Sequence, residues 1–228
     1  MSPVDPTVHI VDDDKSFRIA VGRLLEVAGF HIASYESAEE LLSRLPTGPG
    51  CILLDLQMPG LSGLELQARL AEMAPLLPIV FLTGRGDIGT SVRAIKAGAD
   101  DFLEKPVSSA TLLAAVERAL RLCETRRLGQ DRTDALRALV ASLTPREAQV
   151  FCLIVRGKRN KQIAAELSTS ERTVKAHRHN VMEKLGVHSL AEAVSIAERL
   201  GLLGEADAPP ADSSPSPKDN RRHRDFAS

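Results

Sequence analysis

Cysteine is scarce in this 228-residue chain: its three copies, Cys51, Cys123 and Cys152, lie far apart and lack the paired spacing of a disulfide framework. Each falls in an apolar segment, so all three are expected as buried, reduced thiols. Long apolar runs are missing too. None reaches the ~20 residues that a helix needs to span a bilayer, and Met1-Ser2-Pro3-Val4-Asp5 has neither the basic start nor the apolar centre of a secretory signal. The expectation is a cytoplasmic protein without a membrane partner. Net charge is also nearly absent, at −1 overall, but the total conceals an asymmetry. Residues 1–124 carry 11 Lys and Arg against 17 Asp and Glu, residues 125–204 carry 14 against 8, and the remainder 4 against 5. An acidic module precedes a basic one, in a chain long enough for two small domains. Concentrated positive charge on a compact domain is an electrostatic signature of nucleic-acid binding, with a solvated helical surface rich in Arg as the competing explanation.

What the first 124 residues do have is alternation of short apolar runs with amphipathic stretches, the pattern of strands joined by helical crossovers. Strands are expected near 8–11, 30–34, 51–54, 79–82 and 101–103, and helices near 15–28, 38–45, 62–73, 87–97 and 108–123. Gly29, Pro46, Gly48-Pro49-Gly50, Pro75 and Pro78 punctuate these elements. The fold class is therefore α/β over residues 1–124, a five-fold βα repeat in a doubly wound parallel sheet. A helical linker is expected over 125–142. Thr144-Pro145-Arg146-Glu147 then has a capping residue, a proline at the first helical position and a glutamate three residues after the cap, which opens a new helix. Helices near 161–167, 171–185 and 189–200 follow, so residues 143–204 form an all-α domain of four helices. Residues 205–228 turn to Pro, Ser, Asp and Arg and are expected to be disordered.

Within the helical domain, Lys161–Leu167 and Glu171–Leu185 are joined by Ser168-Thr169-Ser170, the spacing of a helix-turn-helix. Thr173 through Asn180 set short and basic residues early in the second helix, where a major groove would meet it. An ordinary helical bundle is the alternative.

The strands of the first domain end in polar residues: Asp12-Asp13-Asp14, Asp55, Thr83 and Lys105. Open parallel sheets bind ligands at that edge. Three carboxylates converging there call for a cation, and hard oxygen donors suit Mg²⁺. Asp55 then reads as a nucleophile for phosphoryl transfer, with the Lys105 ammonium and the Thr83 hydroxyl placed to stabilise charge on the transferring group. Individually such residues are common at strand ends, where Lys105 could simply neutralise aspartates and Thr83 cap a strand.

Val11-Asp12-Asp13-Asp14, Asp55-Leu56-Gln57-Met58-Pro59-Gly60, Thr83-Gly84 and Glu104-Lys105-Pro106 resemble the receiver domain of two-component response regulators across residues 7–124. The resemblance implies Mg²⁺ ligation by Asp12, Asp13, Asp55 and the backbone carbonyl of Gln57, phosphorylation of Asp55 by a sensor histidine kinase, and a switch pairing Thr83 with a buried Phe102. Leu143–Glu147, Asn160–Ala164 and Arg172–Arg178 are similar to the LuxR-type helix-turn-helix, and the combination resembles the FixJ and NarL class of regulators, nearer to FixJ. By this resemblance Lys175, Ala176 and His179 face base edges of double-stranded DNA, while Thr173, Arg178, Lys184 and the Asn160-Lys161 turn meet phosphates. A homodimer formed on phosphorylation through the surface of residues 87–105, and RNA polymerase as a downstream partner, complete the expectation. The chain would be no enzyme beyond its own phosphorylation and dephosphorylation. A DNA-binding regulator independent of phosphorylation, or a metal-dependent phosphotransfer enzyme, stands as the alternative.

Overall fold

The computed structural model describes residues 5–84 and 98–203. The helix expected over 87–97, much of the surface expected over 87–105 and the tail from 205 lie outside the described residues. Five parallel strands, β1 (Thr7–Val11), β2 (His31–Tyr35), β3 (Gly50–Asp55), β4 (Ile79–Thr83) and β5 (Asp101–Glu104), form one sheet in the order β2-β1-β3-β4-β5. The continuous apolar run of β3 follows from its central place: all six of its residues are buried, as they must be in a sheet covered on both faces.

Helices α1 (Lys15–Val27), α2 (Ala38–Ser43), α3 (Gly63–Met73) and α4 (Ser109–Ala141) flank the sheet. On one face Val21 and Leu25 of α1 and Leu112, Ala115, Val116 and Ala119 of α4 pack with Val8, Ile10, Leu53, Val80 and Leu82. On the other, Leu41 of α2 and Leu66 and Leu70 of α3 pack with Val11, Ile52, Leu54 and Phe81. The period-two alternation of the strands sends Val80 and Leu82 to one face and Phe81 to the other. Compactness divides the chain between Arg132 and Thr133, within α4, a helix that no proline interrupts before Ala141.

In the second unit α5 (Pro145–Val155), α6 (Asn160–Glu166), α7 (Glu171–Leu185) and α8 (Leu190–Arg199) enclose their own core. Phe151, Val181, Leu185, Ala193 and Ala197 form one cluster, joined by Leu136 and Val140 from the end of α4, and Val150, Ile154, Ile163 and Val174 form another. One of the three thiols departs from the expected burial. Cys51 and Cys123 are buried and free, but Cys152 is exposed. On α5 the inward positions belong to Val150, Phe151, Leu153 and Ile154, and the helical turn leaves Cys152 facing out. Among the described residues no single helix is long and apolar enough to cross a membrane.

Candidate functional site

Val11 of β1 pairs with Leu54 of β3, so the residues that follow them, Asp12 and Asp55, emerge side by side. From β1 the chain goes to β2 on one side and β3 lies on the other, which makes this the point where the strand order reverses and a crevice opens at the carboxyl edge. Asp12 is fully buried, Asp55 is 7% exposed and Asp13 is exposed. One carboxylate oxygen from each lies within 4.8 Å of the others. The Lys105 ammonium reaches across from the end of β5, 2.6 Å from Asp12 Oδ2 and 3.1 Å from Asp55 Oδ1. Its backbone is set by the bond from Lys105 N–H to the Thr83 carbonyl, 2.7 Å.

Among the described residues, three carboxylates against one ammonium leave an excess of negative charge among hard oxygen donors, and this is the donor chemistry that suits a divalent cation such as Mg²⁺. Burial pushes the Asp55 carboxyl above its ordinary value and the charge of Asp12 adds to that, against the pull of Lys105. Burial alone would lower Lys105, but the hydrogen bond to Asp12 and the charges of Asp55 and Asp12 outweigh it and hold the ammonium above its ordinary value.

The surrounding chain fixes this geometry. Asp12 Oδ1 accepts from the Asp14 backbone N–H at 2.9 Å, and the Arg18 guanidinium donates to the Asp12 carbonyl at 2.6 Å. Asp14 caps α1 by accepting from the backbone N–H groups of Ser16 and Phe17. On the other side, α3 begins against the backbone of Asp55. A Cβ at Gly63 would stand 2.5 Å from the Asp55 carbonyl oxygen, so only glycine permits the approach. Ser62 and Glu65 close a capping box around that first turn. Sequence pattern did not single out these roles of Asp14, Arg18 and Gly63, although Asp14 has the signature of a helix cap directly before an amphipathic run.

Thr83 is buried, with its hydroxyl donating to the Gly84 carbonyl at 3.3 Å. Phe102, expected to be buried, is half-buried on the edge strand β5 and packs against the core. Gln57 is exposed two residues beyond Asp55.

In the second unit α6 and α7 are joined by a turn in which Ser168 takes the left-handed conformation, with φ of 49°. Arg146 of α5 braces the turn by donating to the Leu167 carbonyl at 2.5 Å. Ser170 caps α7 by accepting from the Thr173 N–H at 3.1 Å. Val174, Val181 and Leu185 turn inward, and Lys175, Ala176 and His179 are exposed together on the outer face. Thr173 and Lys161 are exposed, and Arg178 and Asn160 are half-buried. Lys184, expected as a phosphate contact, has its ammonium 2.6 Å from Glu147 Oε2, a buried carboxylate at the start of α5 that requires a cation. This hydrogen bond, with the Thr144 N–H, holds the Glu147 carboxyl down to about 2.

An acidic strand-end pocket bridged by a lysine, on a sheet of this order and followed by a separate helix-turn-helix unit, defines a response regulator with a DNA-binding output domain. Residues 8–117 match the response regulator receiver domain and residues 141–197 match the luxR family of bacterial regulatory proteins, and the chain belongs to this family of two-component transcriptional regulators. It is 40% identical over 201 residues to the response regulator protein TmoT of Ectopseudomonas mendocina, covering 88% of this chain and 91% of that one. It is also 40% identical over 199 residues to the transcriptional regulatory protein FixJ of Bradyrhizobium diazoefficiens, covering 87% and 97%. Among solved structures, the response regulator StyR aligns with a TM-score of 0.71 at 47% identity, over 86% of this chain and all of that one. Full-length FixJ from B. japonicum aligns at 0.53 and 40%, over 87% and 98%.

Proposed function

We propose that Asp55 accepts a phosphoryl group from a sensor histidine kinase, and that the phosphorylated chain dimerises and occupies a pseudo-palindromic DNA site to regulate transcription. The observation that supports this most strongly is the Lys105 ammonium shared between Asp12 Oδ2 and Asp55 Oδ1 at the mouth of the strands. A carboxylate oxygen of Asp55 attacks phosphorus, the bond from phosphorus to the kinase histidine breaks, and its electron pair returns to the imidazole. Lys105 stays beside the reacting oxygen and stabilises charge that spreads over the phosphoryl oxygens. Asp12, Asp13, Asp55 and the Gln57 carbonyl would hold Mg²⁺, which supplies neutralisation of the pocket and of the incoming group.

The new phosphoryl oxygens are acceptors for the Thr83 hydroxyl, which turns to them from the Gly84 carbonyl. Phe102, only half-buried on its edge strand, moves into the space that Thr83 leaves. Both changes alter the surface that includes residues 98–105, the described part of the face through which the copies pair. A two-fold dimer presents two α7 helices to half-sites one helical turn apart, about 34–36 Å. Lys175, Ala176 and His179 read base edges, and Thr173, Arg178, Asn160 and Lys161 meet phosphates; Lys184 braces Glu147 and contributes mainly its charge. Control of transcription brings RNA polymerase as the downstream partner, in the cytoplasm. The test treats wild type and Asp55→Asn with acetyl phosphate and Mg²⁺ and measures incorporated phosphate and molar mass in solution. Wild type should take up one phosphoryl group and dimerise while the variant does neither; equal uptake by the variant would remove Asp55 from the role.

A further inference from the structure

The Lys105 ammonium has a third neighbour that the acidic pocket does not account for. The Phe17 ring lies beneath it, with Nζ 4.2 Å from the ring centroid. This is within the ~6 Å range over which a cation is attracted to the negative face of an aromatic ring. The contact is held by a closed circuit of bonds. Asp12 Oδ1 accepts from the Asp14 N–H at 2.9 Å, Asp14 Oδ1 accepts from the Phe17 N–H at 3.2 Å, and Lys105 Nζ returns to Asp12 Oδ2 at 2.6 Å. Phe17 also packs with the core of the adjoining sheet face, which anchors the ring from below.

We infer that Phe17 is a positioning residue for phosphoryl transfer: its ring face holds the Lys105 ammonium beside Asp55 Oδ1. The physical advantage over another carboxylate is specific. A third acidic oxygen would compete with the phosphoryl oxygens for the ammonium's N–H donors and would deepen the charge excess of the pocket. A ring face attracts the cation without adding a formal charge or a strong acceptor. Lys105 is thus kept near Asp55 while charge develops on the transferring group, as the phosphorus–oxygen bond of acetyl phosphate breaks and acetate leaves with the electron pair.

This inference rests on Asp55 as the acceptor, and the test separates the two. Phenylalanine at position 17 alone is replaced by its 4-fluoro, 3,5-difluoro and 3,4,5-trifluoro analogues in the full chain. The series drains electron density from the ring face at nearly constant shape. Phosphorylation by acetyl phosphate with Mg²⁺ is followed by phosphate-affinity electrophoresis, with thermal unfolding measured alongside. The expected result is a stepwise fall in rate, reaching about fivefold for the trifluoro ring, with an unchanged half-saturating Mg²⁺ concentration and an unchanged unfolding midpoint. A rate that stays flat or rises along the series, while wild type labels and Asp55→Asn does not, overturns the role of Phe17 alone. Absence of label on wild type overturns the reading of Asp55 beneath it.

Discussion

At the scale of single residues, the pocket depends on a charge balance that one substitution disturbs. Lys105→Ala leaves two adjacent carboxylates without their ammonium and removes a donor to the transferring group, so phosphorylation by acetyl phosphate should slow by about 100-fold. Stopped-time labelling against wild type checks this, and a change of less than about threefold would contradict it. A second residue sets a pH limit. His9 is buried on β1 with Nδ1 3.1 Å from the Tyr35 hydroxyl, and burial lowers it to about 4 from an ordinary value of 6.5. The unfolded chain therefore binds a proton as pH falls through 6.5, while the folded one stays neutral until about 4. Stability of the first unit is lost over that interval, by up to about 3 kcal/mol, and His9→Phe should flatten the dependence in urea unfolding. Asp12, Asp13, Asp55 and Lys105 stood out in the sequence because each is a charged residue at or just beyond the end of a strand, and the structure brings their side chains together. Phe17 was not, since its place in an amphipathic helix reads as core, and its ring meets Lys105 only after the sheet has brought β1 and β5 into register around β3 and β4.

At the scale of elements, the strands and most helices were legible from periodicity and from caps such as Thr144 with Glu147. Phe102 stands on β5 at the sheet edge, a place that follows from strand order and not from local pattern. The ties that α4 makes were equally hidden. Arg118 pairs with Asp101 and Arg126 with Asp100, and Asp100 also accepts from the Ile79 N–H at 3.0 Å, so α4 is fastened to the segment that enters β5 one residue before Phe102. In the second unit, Thr144→Ala removes the side-chain cap of α5 and should lower its stability by about 1 kcal/mol in chemical denaturation. Glu147 works in the opposite sense to His9. Its carboxyl lies at about 2 against an ordinary 4.5, so its stabilising contribution is complete above 4.5 and fades as pH falls towards 2. Lys184→Met removes the first cause of that depression and should make the acid unfolding of the second unit less steep, as followed by circular dichroism.

At the scale of the molecule, the change of charge from the first 124 residues to the next 80 marks the division of labour in the sequence itself. The place where compactness divides was less legible, because α4 carries one helical pattern through the change. The surplus of cations on the second unit should give DNA binding a strong electrostatic component; Arg178→Ala, at a half-buried position, should weaken binding across sequences and reduce the salt slope by about 1. On the proposed reading, chemistry at Asp55 changes occupancy of DNA by α7. The most direct measurement is the equilibrium affinity of wild type and Asp55→Asn for one selected operator, each with and without acetyl phosphate and Mg²⁺, at fixed salt. Phosphodonor should tighten wild-type binding by about 5- to 150-fold, the usual range for coupling between two sites, and leave Asp55→Asn unchanged. Equal wild-type affinity under both conditions would show that Asp55 does not control the occupancy of DNA.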